Sequence, residues 1–203
     1  MNEGIPPEKT IQHFDLTFSK VRQGFCSSVT SLLCLWLAVL AMDTQAMASD
    51  DIIAENAEGF FDISFGDLTE ELGLLEEEGK KAILVMFETE DCPWCTRMKQ
   101  QVLNRVAVQK YFHEHFRVIS IDAEGDVPII DFQGNELPSK TFALKTLRVR
   151  ATPVFAFFGR GGELITRYTG ALKNAHDFLL LGRYVAEEHY ENGSFKRFRR
   201  ANQ

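Results

Sequence analysis

Cysteine is too scarce in this chain to serve as its scaffold: four residues in 203 cannot supply the disulfide framework of a small secreted fold. None is needed, because 45% hydrophobic and 25% charged residues are the proportions of an ordinary globular domain with its own core. A basic surplus is also missing. The formal net charge of −7 leaves no general footprint for nucleic acid, and "FKRFRR" at residues 195–200 is a local exception. No internal repeat or low-complexity linker marks a second domain, and the chain is expected to work as a monomer.

Charge is absent altogether from residues 23–42. Lys20 and Arg22 precede this stretch and "AMA" at residues 46–48 follows it. A positive flank, an apolar run and a small-residue site predict a secretory signal with cleavage before Ser49, and hence an exported protein. The alternative is an uncleaved membrane anchor, against which the polar "QGFCSS" weighs. Residues 1–48 are thus an extension with a signal or anchor, residues 49–195 the domain, and residues 196–203 a basic tail, read as frayed and solvated rather than lipid-bound. Glu3, Glu8 and Asp15 are foreign to a signal n-region, so translation is expected to start further in, at Val21.

Cys26 and Cys34 lie in the leader, without the small residues that lipidation requires, so Cys92 and Cys95 in "ETEDCPWCTRMKQQ" carry the chemistry. A disulfide closing so short a loop adds little stability. Zinc wants four ligands, yet no second cysteine pair exists and His113 and His115 are spaced H-x-H. Haem attachment wants C-x-x-C-H, and position 96 is Thr. No metal and no cofactor are therefore expected, and a redox pair is the reading that remains.

Its setting supports that reading. "KAILVMFE" is a short β-rich apolar run that fits a buried strand. From Pro93 onward Met98, Val102, Leu103 and Val106 recur at helical spacing, with Pro93 suited to the first helical turn. Cys92 then caps a helix leaving the end of a central strand, where exposed N–H groups and the helix dipole stabilise its thiolate. Cys95, one turn on, can resolve a mixed disulfide. Trp94 is expected as an apolar rim beside the sulfurs, the alternative being a plain surface aromatic.

The remaining segments read as a helix over 65–81 with Leu68, Leu72 and Leu75 inward, a second helix over 104–116, a strand over 116–125, and a helix from Pro138 or Ser139. A strand over 152–158, the turn "GRGG", a strand over 163–170 and a helix over 174–190 complete the chain. The order predicts an α/β fold with a mixed central sheet flanked by helices, and CxxC in that setting points to a thioredoxin-like redox motif.

"LVMFETEDCPWC", followed by residues 126–172 with "ATP" before the third strand and the glycine of "TG", resembles the SoxW-like periplasmic branch of the thioredoxin superfamily. The likeness spans roughly residues 60–190. It implies that Pro153 is a cis proline facing the disulfide and that Thr152 offers backbone groups to an extended substrate. Thioredoxins carry an Asp six residues before the first cysteine; here that position is Met86. The resemblance supplies Glu88 instead, which strand alternation places on the same face. Glu88 is then either a replacement proton acceptor or an ordinary strand-end carboxylate.

Pro93 and Trp94 match neither thioredoxin's Gly-Pro nor DsbA's Pro-His. The resemblance implies a reductase of exported protein disulfides, fed by a membrane electron-donor protein and serving sulfur-oxidation proteins. A disulfide oxidase or isomerase is the enzymatic alternative, although no dimerisation region for an isomerase is evident. A redox-inactive peptide-binding module is the alternative of another class, in which residues 125–138 would contact a partner instead of forming a hairpin over the sheet edge.

Overall fold

The computed structural model describes residues 53–202 except residue 55. The leader, its cleavage site and the alternative start lie outside the described residues.

Helix α1, Leu68–Glu77, is shorter than its periodicity predicts because both ends are chemically fixed. The Asp67 carboxylate accepts the N–H groups of Thr69 at 2.9 Å and Glu70 at 3.1 Å, which satisfies the first turn. Gly79, at a φ of 66°, ends the helix, since a left-handed residue there costs glycine no Cβ clash. The inward face also differs from the expected leucine stripe. Leu72 is only partly buried, and Glu71 occupies a core position.

Strand β1, Ala82–Glu88, is apolar almost throughout because both of its faces are covered. Helix α2, Pro93–Met98, runs on into a π-helical turn over Lys99–Leu103. A break at Asn104 and Arg105 separates it from α3, Val106–His115, which feeds β2, Phe116–Asp122. Strands β3, Pro128–Ile130, and β4, Glu136–Pro138, form a separate hairpin. Asp131 accepts the N–H groups of Gln133 and Asn135 to shape its turn.

Helix α4, Ser139–Thr141, continues as a π turn over Phe142–Thr146. Strands β5, Val154–Phe158, and β6, Leu164–Thr169, precede α5, Ala175–Ala186. The main sheet has the order β2-β1-β5-β6, with β1 parallel to β2 and the other neighbours antiparallel. This is the predicted mixed sheet with helices on its faces.

Strand alternation divides the core in two. Leu84, Met86, Phe155 and Phe157 pack with Phe112, Phe178 and both cysteines on the α3/α5 side. Ile83, Val85, Phe87 and Phe158 pack with Leu68, Leu75 and Phe142 on the α1/α4 side. Phe178 stacks on Phe112 at 4.5 Å and meets Phe155 edge-on at 5.0 Å. Residues 125–138 do form a hairpin, but it sits on the second core: Ile129 is buried and Phe132 lies 4.6 Å from Phe158.

The frayed tail expected from residue 196 onward is corrected. Residues Phe195–Ala201 form helix α6. Phe195 and Phe198, three apart and so on one face, lie 5.5 and 5.7 Å from Tyr184. Arg199 approaches Asp177 at 3.9 Å, and the Tyr184 hydroxyl donates to the Gly193 carbonyl at 2.7 Å. The basic residues of the run mask this aromatic face in the sequence. No helix among the described residues is long and apolar enough to cross a membrane.

Candidate active site

The end of β1 and the start of α2 create the site. Cys92 has extended backbone angles and caps α2, with Pro93 entering the first turn. Cys92 and Cys95 are joined as a disulfide with an S–S distance of 2.06 Å and a Cα–Cα distance of 5.2 Å. The Cys95 N–H donates to Cys92 Sγ at 3.1 Å, so a helix-terminal amide is aimed at the first sulfur. Cys92 is 5% exposed and Cys95 2%.

The disulfide borders a cleft of about 480 Å³ whose lining includes Glu88, Glu90, Lys99, Ser120 and Asp122. Strand parity brings Glu88 here, as expected, because it continues the face of Met86. Its surroundings were not predicted. Lys99 Nζ donates to Glu88 Oε1 at 2.8 Å and lies 2.7 Å from Oε2, while Ser120 Oγ donates to Oε1 at 2.6 Å. The carboxylate is clamped between an ammonium and a hydroxyl. Lys99 was legible in principle, since it lies seven residues after Cys92 and four after Cys95 on one helical face. Ser120 was not, because only the parallel pairing of β1 with β2 sets Met86 opposite it.

Trp94 does not line this cleft. It is 55% exposed, with the Arg97 guanidinium 5.6 Å above its ring, so it presents apolar surface at the start of α2. The Thr152–Pro153 bond is cis, as the resemblance implied. Pro153 is buried and its carbonyl accepts the Gly170 N–H at 2.8 Å. Gly170 has a φ of 102°, a left-handed conformation that explains the glycine of "TG". Thr152 lies next to the cleft, its hydroxyl 3.4 Å from that of Thr89. Among the described residues no group of three His, Cys, Asp or Glu side chains is placed to hold a metal ion.

A mixed sheet, a cysteine pair joined at a helix start and a cis proline together define a thioredoxin-fold protein with a CxxC disulfide. The chain belongs to the thioredoxin-like domain family, whose profile matches residues 68–186. A thioredoxin-fold protein from Helicobacter pylori is similar at a TM-score of 0.54 and 16% identity, covering 70% of this chain and 91% of its own. A thioredoxin from Thermus thermophilus is 27% identical, at a TM-score of 0.45, over 57% of this chain and 81% of its own. The C-terminal domain of DsbD from Neisseria meningitidis in the reduced form is 19% identical, at a TM-score of 0.41, over 63% of this chain and 94% of its own. No curated protein matches.

Proposed function

We propose that this chain is an exported, periplasmic thiol–disulfide oxidoreductase that reduces protein disulfides as a monomer. The observation that carries the reading is the Cys92–Cys95 bond at a helix start, with an amide donor on Cys92 Sγ and an open cleft beside it. In the reduced chain the Cys92 thiolate attacks one sulfur of a client disulfide. A client thiolate leaves and takes up a proton, and Cys92 remains in a mixed disulfide. Cys95 loses its proton to Glu88 and attacks Cys92 Sγ, releasing the second client thiol. Two electrons pass to the client and the Cys92–Cys95 disulfide forms.

Lys99 and Ser120 hold Glu88 in position for that proton transfer. Thr152 offers its backbone to the client beside the cleft, since the Pro153 carbonyl is already engaged by Gly170. The resemblance to SoxW-like proteins supports a membrane electron-donor protein as the source of reducing equivalents and sulfur-oxidation proteins as clients.

Equilibration of the chain in glutathione and dithiothreitol buffers tests the direction. A potential near that of thioredoxin, about −270 mV, supports a reductase, and one near that of DsbA, about −120 mV, turns the reading to disulfide donation. Absence of a measurable couple removes the enzymatic reading.

A further inference from the structure

The disulfide cleft adjoins a second groove of about 450 Å³. Thr89 lines both, and its contact with the Thr152 hydroxyl marks where they meet. One wall of the groove is residues 149–152, which lead into the cis proline, and the other is α4 with its π turn. The turn closes five residues apart, with the Leu147 N–H donating to the Phe142 carbonyl at 3.3 Å. Phe142 and Ala143 face the core, while Leu144 and Lys145 are exposed along the groove. Wide turns of this kind recur at functional sites.

The two hollows differ in charge. Glu88, Glu90 and Asp122 line the disulfide cleft with Lys99 as its cation. Lys140, Lys145 and Arg150 line the groove against one carboxylate, Glu124. Lys140 is committed to Asp126 at 2.5 Å. Lys145 and Arg150 are exposed and have no ion-pair partner among the described residues. On a chain of formal charge −7, a basic wall beside the reactive pair stands against the general surface. Leu144, 55% exposed, adds an apolar contact beside the cations.

We propose that this groove receives an acidic stretch of the client polypeptide next to its reactive cysteine, with carboxylates on Lys145 and Arg150 and an apolar side chain on Leu144. The inference rests on the reading of Cys92 and Cys95 as the reactive pair. Charge complementarity selects the occupant: a neutral apolar peptide would leave both cations unused, and a basic one would be repelled. Sequence flanking the client disulfide, as well as the disulfide itself, then sets which proteins react.

The test uses the full chain and three labelled decapeptides that differ only in their flank, Glu-Leu-Glu, Gln-Leu-Gln or Lys-Leu-Lys. In one arm a central serine replaces cysteine, and binding to the oxidised chain is read by fluorescence anisotropy. In the other arm the cysteine forms a mixed disulfide with a small thiol, and exchange with the reduced chain is timed. The Glu peptide is expected to bind about fivefold tighter than the Gln peptide, the effect of two exposed ion pairs. The same ratio is expected in the exchange rates. High salt and the neutralising double substitution Lys145→Gln with Arg150→Gln should bring both ratios to about one.

Equal binding of the Glu and Gln peptides, or a preference that survives the double substitution, overturns the proposal. The two arms separate this reading from the one beneath it. Binding of the acidic peptide without exchange on any peptide upholds the groove and removes the oxidoreductase. Exchange at one rate for all three peptides upholds the oxidoreductase and removes the groove.

Discussion

Replacing Glu71 by Gln should cost more than its place on an acidic helix suggests. Glu71 is 3% exposed, and its Oε2 accepts from Arg117 Nε at 3.0 Å and from an Arg117 terminal nitrogen at 2.8 Å. The same guanidinium reaches Glu78 at 3.0 Å and Asp62 at 4.0 Å. Burial works against the charge on Arg117, but the hydrogen bond to Glu71 and the nearby carboxylates outweigh it and hold its pKa above the ordinary value. Removing one partner of a buried ion pair costs about 3–5 kcal/mol. Because Glu78 and Asp62 remain and Gln keeps one acceptor, the expected loss is at the bottom of that range, about 3 kcal/mol.

Urea denaturation at pH 7 reads this as a fall in midpoint of about 1.5 M at unchanged slope, taking about 2 kcal/mol/M for a domain of this size. In a thermal melt the same loss is about 6–12 °C. Replacing both Glu71 and Arg117 with Leu should cost less than Glu71→Gln alone, because no buried charge is left unpaired. A midpoint shift under about 0.3 M would refute the reasoning, since it would place the pair with solvent-screened surface bridges of about 0–1 kcal/mol.

Three further outcomes are expected. Cys92→Ser should abolish turnover of protein disulfides, and Cys95→Ser should trap the client as a mixed disulfide with Cys92 visible on a non-reducing gel; retained turnover in either variant would exclude the mechanism. Glu88→Gln should slow release of that mixed disulfide by about 10²-fold, the lower range for a lost proton acceptor. Rapid-quench kinetics would show the mixed disulfide accumulating, and unchanged release would reduce Glu88 to a strand-end carboxylate.

His113 supplies a pH dependence. Its Nδ1 lies 3.7 Å from Asp62 and its Nε2 donates to the Gly59 carbonyl at 2.8 Å, and the bond with Asp62 raises its pKa above the ordinary 6.5. For Asp62, burial raises the pKa, but the contact with His113 and the Val118 N–H outweigh burial and lower it below 3.8. The histidine contribution is therefore full below about pH 6.5 and lost as pH rises through its elevated folded value, while the Asp62 contribution is lost on acidification. Urea midpoints should fall between pH 6 and pH 8 in the parent chain and fall less in His113→Gln. An equal fall in both would assign the effect to other groups.

Local chemistry made part of this protein legible from its sequence. A short β-rich apolar run marked β1, strand alternation put Glu88 on the face of Met86, and Pro93 after Cys92 marked a helix start, because these rules act within a few residues. Signals that depend on a neighbour misled: Leu72 was expected inward with Leu68 and Leu75, yet it is only partly buried and Glu71 takes the core position, because Arg117 reaches it from β2. The phenylalanines of residues 195–200 were outweighed in the sequence by four cations, yet Tyr184 gives them a surface on which to pack. The sequence by itself determined the alternation of elements, the CxxC pair and its place at a strand-to-helix junction. Only the tertiary structure decided that Lys99 and Ser120 clamp Glu88 and that Lys145 and Arg150 wall a groove beside the disulfide, because contacts across strands and between distant loops exist only once the chain has closed on itself.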